Sequence, residues 1–188
     1  MAKKAQSTLL NMFLSLTVIS VVAAATLALV NNVTMEPIAM TKKAQTEMAI
    51  KSVLPSFDSL VVDSVGDFVC NRAFDNSGQL VGMAINVYTD NGFSGRINMM
   101  IGFDDQGDIY GYKILQHAET PGLGAKADQW FQKDGKGSVI GKNPEKSDLR
   151  VVKDGGEVDA ISGSTITSRA FCDAVASAYE VYKQQLNK

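Results

Sequence analysis

The feature that most constrains this chain is an apolar stretch near its N-terminus. No charged residue occurs between Lys4 and Glu36, and residues 9–30 are mostly apolar, interrupted only by Asn, Ser and Thr. As an α-helix this segment would be roughly 33 Å long, which matches the hydrocarbon core of a bilayer. We therefore predict an uncleaved transmembrane helix over residues 9–30.

A cleaved signal peptide is the main alternative for the same stretch. The apolar region of a signal peptide is usually only about 7–15 residues long, although residues 23–25 are alanines that could form a cleavage site. Lys3 and Lys4 precede the apolar run, so the positive-inside rule favours a cytoplasmic segment at residues 1–8. The rest of the chain is then expected on the outer side of the membrane.

After the apolar run, the hydrophobic pattern predicts a stalk or linker helix in residues 31–60 and one domain in residues 61–188. Residues 68–74 and 109–115 are strand candidates, and apolar residues alternate with other residues in 81–87 and 97–103. Turn sequences separate these segments, which favours an antiparallel sheet. A short strand is predicted at 149–152. A C-terminal helix is predicted from about Ser168, with an apolar face formed by Phe171, Val175, Tyr179, Tyr182 and Leu186. The predicted fold class is α+β, an antiparallel sheet with packed helices.

Composition excludes some classes of function. The net charge of −2 and the lack of a basic patch argue against a nucleic-acid-binding protein. Cys70 and Cys172 are far apart and have no metal-ligand spacing. A disulfide is possible on the outer side, but two buried free thiols are the favoured interpretation. His117 is the only histidine and has no zinc-type neighbours, so no metal site is predicted and a hydrolase is the least supported class.

Two motifs could carry chemistry. In ETPGLG, residues 119–124, Pro121 and Gly122 suit a type II turn with Gly122 at positive φ, and such a loop lets a flat ligand approach the backbone. In DAISGSTITSR, residues 159–169, several hydroxyls precede or begin the C-terminal helix. Helix N-termini stabilise anions, phosphate above all. From spacing alone, a tight turn and a plain helix cap remain open for these two motifs.

Together, ETPGLGAK and DAISGSTITS behind one apolar helix resemble a known family, the FMN-binding domain. It is shared by the G subunit of the Rnf electron-transport complex and the C subunit of the sodium-translocating NADH:quinone reductase. The resemblance implies FMN attached through its phosphate to Thr165, within a motif that Ser162, Gly163 and Thr167 also match. Ser164 stands where the family has alanine. The other cofactor-binding residues that the resemblance implies are Glu119, Thr120, Gly122, Leu123, Gly124 and Lys153.

The sequence resembles the Rnf G subunit more closely than the quinone reductase C subunit, and this resemblance also implies a function. It predicts a membrane-anchored flavoprotein that relays electrons within an ion-pumping ferredoxin:NAD oxidoreductase complex in the bacterial inner membrane. The expected partners are the other Rnf subunits and the flavin transferase that attaches FMN. No catalytic residue is expected, because the flavin carries the chemistry and the chain is not a stand-alone enzyme. The alternatives are the C subunit of the quinone reductase and an anchored FMN-binding module without electron transfer.

Overall fold

The chain forms two compact units, Met1–Ala44 and Gln45–Lys188. The computed structural model describes residues 8–186, so residues 1–7 of the predicted cytoplasmic segment lie outside the described part. A single helix, α1 (Leu9–Val53), contains Pro37 and continues from the first unit into the second. It includes the predicted membrane segment and most of the range predicted as a stalk.

The first unit contains the apolar part of α1. Its large side chains are exposed, with Leu9 at 88% and Phe13 at 71% of their full accessibility. Thr17 and Thr26 donate their hydroxyls to the carbonyls of the residues four positions earlier, so these polar groups are satisfied within the helix. Among the described residues, α1 is the one helix long and apolar enough to cross a membrane.

The second unit is built on a five-stranded antiparallel sheet in the order β1-β2-β3-β4-β5. Its strands are β1 (Ser59–Val65), β2 (Phe68–Phe74), β3 (Leu80–Gly92), β4 (Gly95–Asp104) and β5 (Ile109–Gln116). A short helix, α2 (Ala127–Trp130), follows the sheet, and the long helix α3 (Thr165–Leu186) ends the described chain. The predicted α+β fold with an antiparallel sheet and packed helices is confirmed.

One face of the sheet packs against α3 and forms the larger core. Alternation places one set of strand residues on this face, where they meet the apolar face of α3. Within β3 and β4, the buried residues of this core are Met83, Ile85, Val87, Ile97, Met99, Ile101 and Phe103. Of the predicted apolar face of α3, Leu186 is half exposed and the rest is buried. The alternation therefore predicted this core well, except that Val81 packs on the opposite face.

The opposite face of the sheet holds the last turns of α1. Here the strands contribute two alanines and Met100, and Ala49, Ile50, Val53 and Leu54 pack on them. A Cβ on Gly102 would collide with the backbone carbonyl of Val53. The neighbouring Gly111 has slightly more room, with Val53 Cα 3.2 Å from the position of its Cβ. Glycines on β4 and β5 thus let the end of α1 lie directly on the sheet.

This close approach leads to a graded prediction. Gly102→Ala is expected to lower the free energy of unfolding by about 1–3 kcal/mol, because the added methyl group forces the end of α1 outward. Gly111→Ala is expected to cost less. Denaturant unfolding of the detergent-solubilised chain, followed by the fluorescence of the single tryptophan, Trp130, measures both. Unchanged stability in Gly102→Ala would contradict this packing.

The structure corrects two sequence predictions and adds an element that was not predicted. Residues 149–152 do not form a strand, because Val151 makes only an isolated bridge to Val158. Helix α3 begins at Thr165 rather than near Ser168. Strand β1 was missed because it lies at the edge of the sheet, and none of its residues is buried. The two cysteines are buried and form no disulfide with each other, as favoured from the sequence, and burial raises the pKa of the Cys172 thiol to about 12.

Candidate functional site

A cavity of about 360 Å³ lies where the two sequence motifs meet. This volume falls within the range of small-molecule sites, about 300–1,000 Å³. Four segments form it: the β3–β4 hairpin, the loop after β5, the 3₁₀ turn at Val152–Asp154 and the start of α3. The lining residues are Phe93, Glu119, Thr120, Leu123, Gly124, Lys153, Gly163, Ser164, Thr165 and Ile166.

The cavity brings together eight of the eleven residues predicted as a cofactor site. Among the described residues, Ser162, Gly122 and Thr167 do not line it. Ser162 is exposed, while Thr167 is fully buried and faces Glu119. Gly122 shapes the loop without facing the cavity. Another cavity, of about 1020 Å³, runs along β5 and the end of α1, and it contains none of the predicted residues.

The loop after β5 is a tight turn at its centre. The Leu123 N–H donates to the Thr120 carbonyl at 3.1 Å, and Gly122 has φ of +77°. The positive φ predicted for Gly122 is confirmed, and it is a conformation that side-chain-bearing residues rarely adopt. The turn presents Leu123, 43% exposed, at the cavity.

A buried carboxylate holds this loop against its neighbours. Glu119 is only 6% exposed. Its Oε2 accepts a hydrogen bond from Thr167 Oγ1 at 2.8 Å, and its Oε1 accepts one from the Ser94 N–H at 3.1 Å. A Cβ on Gly124 would collide with the same carboxylate. Glycine at 124 is therefore required by the position of the Glu119 side chain.

His117 supports the same loop. Its Nδ1 accepts a hydrogen bond from the Glu119 N–H at 3.1 Å, and its Nε2 lies 3.8 Å from a carboxylate oxygen of Asp128. In the described part of the chain, no group of three or more potential ligands from His, Cys, Asp and Glu could hold a metal ion. His117 thus has a structural role in orienting the loop.

The hydroxyls at the start of α3 have different partners. Ser168 Oγ accepts from the Ile161 N–H at 3.0 Å and donates to the Ser164 carbonyl at 2.9 Å. It therefore fixes the first turn from inside the protein. Gly163, at φ of +77°, turns the chain just before the helix. Ser164 and Thr165 line the cavity next to this turn.

Thr165 has the most distinctive environment of these hydroxyls. It is the first residue of α3, where the N–H groups of the first turn lack helical partners and the dipole is positive. The Lys153 ammonium donates a hydrogen bond to Thr165 Oγ1 at 3.2 Å. Positive charge from two sources thus surrounds one threonine hydroxyl at the cavity wall.

An ion pair fixes the segment that carries Lys153. Arg169 in α3 donates to both carboxylate oxygens of Asp154, at 2.6 and 2.7 Å. The hydrogen bond from Arg169 lowers the pKa of Asp154, so this carboxylate stays ionised and paired at neutral pH. This ion pair holds the segment that carries Lys153 against the start of α3, beside the cavity.

Two lining residues, Phe93 and Ile166, were missed by sequence reasoning. Ile166 follows Thr165 directly and is 48% exposed. Phe93 sits at the tip of the β3–β4 hairpin and is 68% exposed. An aromatic residue in NGFSG, between two predicted strands, was the available signal. It could not be connected with the motifs because it precedes both of them in the chain.

The fold and the cavity are those of a chain with an FMN-binding domain. The FMN-binding domain family matches residues 92–180, a range that includes every lining residue. The chain is similar to the G subunit of the ion-translocating oxidoreductase complex of Methanosarcina acetivorans, with 33% identity over 93% of this chain and 95% of the relative. It is also similar to the corresponding G subunit from Yersinia pestis, with 33% identity over 85% and 82% of the two chains.

The chain therefore belongs to the family of G subunits of ion-translocating oxidoreductase complexes. Its identity to the Aliivibrio fischeri member of that family is 40%, over 57% of this chain and 52% of the relative. The crystal structure of Shewanella oneidensis NqrC shares 20% identity and a TM-score of 0.42, covering 70% of this chain and 67% of that one. At this level of similarity it adds nothing to the assignment.

Proposed function

We propose that this chain carries FMN as a phosphoester on Thr165 and relays electrons within a ferredoxin:NAD oxidoreductase complex that pumps ions. The observation that carries the proposal is the position of the Thr165 hydroxyl. It lies at the cavity wall, at the N-terminus of α3, and 3.2 Å from the Lys153 ammonium. Membership of the G-subunit family supports the same function.

The residues around Thr165 suit a phosphate. A phosphodiester keeps one negative charge, and the N–H groups of a helix N-terminus stabilise such an anion. The Lys153 ammonium adds a charge-assisted hydrogen bond donor. Gly163 has no side chain to limit the approach of an ester group to Thr165.

The remaining lining residues suit the flavin ring. Leu123, Ile166 and Phe93 offer apolar surface, while Thr120 and Glu119 add polar atoms. When bound, FMN supplies the electron-transfer chemistry. The protein's part is to bind and orient the ring and to exclude water from one side of it. No acid or base of the chain is required for substrate turnover.

Attachment of FMN needs a second protein. A threonine hydroxyl does not react spontaneously with a phosphate, so we infer a flavin transferase as a maturation partner. Ser164 introduces a second hydroxyl at the position where the family has alanine. Because Ser164 is 8% exposed and precedes α3, Thr165 is the better-placed acceptor.

We infer the membrane arrangement from the apolar part of α1. Residues 9–30 cross the bacterial inner membrane, and residues 1–8 stay in the cytoplasm. Residues 31–60 link the membrane segment to the domain of residues 61–188, which carries the flavin on the outer side. The charge distribution around residues 9–30 supports this direction. A covalent link suits such a location, because dissociated FMN would not easily be recovered there.

A wild-type experiment tests the proposal. The full chain is produced with and without a flavin transferase, unfolded, and examined by denaturing electrophoresis under ultraviolet light. A fluorescent band that depends on the transferase is expected. The subunits that co-purify with the chain then distinguish the Rnf complex from the quinone reductase. If intact mass shows the bare sequence mass despite the transferase, a module that binds FMN loosely would be favoured.

Lys153 provides a further test. Lys153→Met is expected to slow flavin attachment severalfold at limiting transferase, because a charge-assisted contact to the phosphate is lost. Lys153→Arg should largely restore the rate. The measurement is the fraction of flavinylated chain against time by intact mass. Lys146→Met, at an exposed position outside the cavity, is the matched control. Equal slowing in both methionine variants would contradict the role of Lys153.

A further inference from the structure

We propose that the tip of the β3–β4 hairpin, residues 93–94, forms one wall of the flavin site. Phe93 contacts the flavin ring, and Glu119 is a positioning residue that holds the hairpin in place. This inference rests on the proposed function, since it takes the cavity beside Thr165 as the flavin site.

The exposure of Phe93 is the first observation. At 68%, it is the most exposed large hydrophobic side chain in residues 45–186. It nevertheless lines the cavity together with Leu123 and Ile166, which are themselves partly exposed. An exposed aromatic ring beside a cavity of ligand size is typical of a binding surface. A flat aromatic ligand would cover this side chain.

The attachment of the hairpin is the second observation. The Ser94 N–H, next to Phe93, donates to Glu119 Oε1 at 3.1 Å. The other oxygen of the same carboxylate accepts from Thr167 Oγ1 in α3 at 2.8 Å. One buried side chain thus joins the hairpin, the 119–124 loop and the helix that begins with Thr165.

The space around Glu119 shows how closely these segments fit. A Cβ on Gly92 would lie 2.9 Å from Glu119 Oε1, and one on Gly124 would collide with Oε2. The carboxylate therefore lies between two glycines, and its hydrogen bond to the Ser94 N–H holds the hairpin tip beside it. A shift of Glu119 would move Phe93 relative to Thr165.

Substitutions separate the positioning role from the contact. Glu119→Ala removes both hydrogen bonds. Glu119→Gln keeps both contacts: the amide oxygen accepts from the Ser94 N–H, and the amide nitrogen donates to Thr167 Oγ1, which reverses the direction of that hydrogen bond. Phe93→Ala removes the contact itself at an exposed position, where little effect on folding is expected. Phe93→Tyr keeps the ring.

The experiment measures the accessibility of the flavin to solvent. The full chain is flavinylated by co-expression with the transferase, intact mass establishes one FMN per chain, and iodide quenching of flavin fluorescence is recorded. Phe93→Ala should raise the quenching constant about twofold or more, because an aromatic side chain covers a large apolar area. Phe93→Tyr should match the wild type. Tyr110→Ala, an exposed aromatic position outside this cavity, should leave the constant unchanged.

The outcomes are distinct. Glu119→Ala should behave like Phe93→Ala, and Glu119→Gln like the wild type. A Phe93→Ala protein with one FMN and a wild-type quenching constant would overturn this inference and leave the proposed function intact. A wild type without the ester would overturn the proposed function, and this inference with it. If Glu119→Ala does not fold, the Phe93 variants decide.

Discussion

We expect Thr165→Ala to abolish the proposed covalent flavin: the unfolded variant, produced with the transferase, should have its bare sequence mass and give no fluorescent band. The reason is chemical, since the proposed ester needs the Thr165 hydroxyl and alanine has none. Thr165→Ser should retain some adduct, because it keeps an oxygen at the same position. Intact mass spectrometry of the denatured chain gives the stoichiometry directly.

Ser164→Ala is the matched control for that result. It restores the alanine of the family motif and should carry as much FMN as the wild type. An adduct of unchanged mass in Thr165→Ala would contradict Thr165 as the acceptor. Loss of the adduct in Ser164→Ala alone would identify Ser164 as the acceptor instead. The two variants thus decide between neighbouring hydroxyls that both line the cavity.

Phe171→Ala has the largest expected effect on stability. Phe171 is 1% exposed, stacks on Phe131 with ring centroids 4.1 Å apart, and meets Tyr112 edge-on at 4.8 Å. Truncation of such a buried aromatic residue costs about 3–5 kcal/mol, from lost burial and the remaining cavity. Because Phe171 and Thr165 are on the same helix, the variant should also weaken the framework of the flavin site.

Denaturant unfolding followed by Trp130 fluorescence measures this loss. Leu186→Ala is the control on the same helix, and since Leu186 is 48% exposed its effect should stay within about 0.5 kcal/mol. If Phe171→Ala lowered the free energy of unfolding no more than Leu186→Ala, the contacts of Phe171 with Phe131 and Tyr112 would not be what holds α3 in place.

Strands whose two faces pack against different elements were predictable, because apolar residues alternate along them. Ile85 and Ile101 face each other in the β3–β4 register, and both belong to alternating segments. Strand β1 could not be found in this way, because an edge strand without buried residues has no alternation to detect. The strand predicted at 149–152 failed for a different reason, since apolar residues there pack into the core without a full strand partner.

The two sequence motifs predicted most of the residues that line the candidate site, but not the contacts that hold them together. Glu119 and Thr167 are distant in sequence, yet the fold brings them into a hydrogen bond. The resemblance named both residues without giving this contact, which belongs to the support of the cavity. Phe93 was missed because a hairpin tip becomes part of the site only through the bond between Ser94 and Glu119.

The hydroxyls of DAISGSTITSR now have separate environments. Ser168 stabilises the turn, Thr167 anchors Glu119, and Thr165 faces Lys153. Only Thr165 combines a place at the cavity wall with a cationic partner. Ser164 lies beside it, ahead of the first helical turn, and is the neighbour from which Thr165 must be distinguished.

Peptide mapping of the wild-type protein tests the central claim most directly. Cleavage after Lys153 and Arg169 releases residues 154–169, a peptide with no internal lysine or arginine. It contains all five hydroxyl residues of the motif, Ser162, Ser164, Thr165, Thr167 and Ser168. Fragmentation of this peptide from transferase-treated protein should place one FMN phosphoester on Thr165. An unmodified peptide, or a flavin on Ser164 or any other residue, would contradict the account.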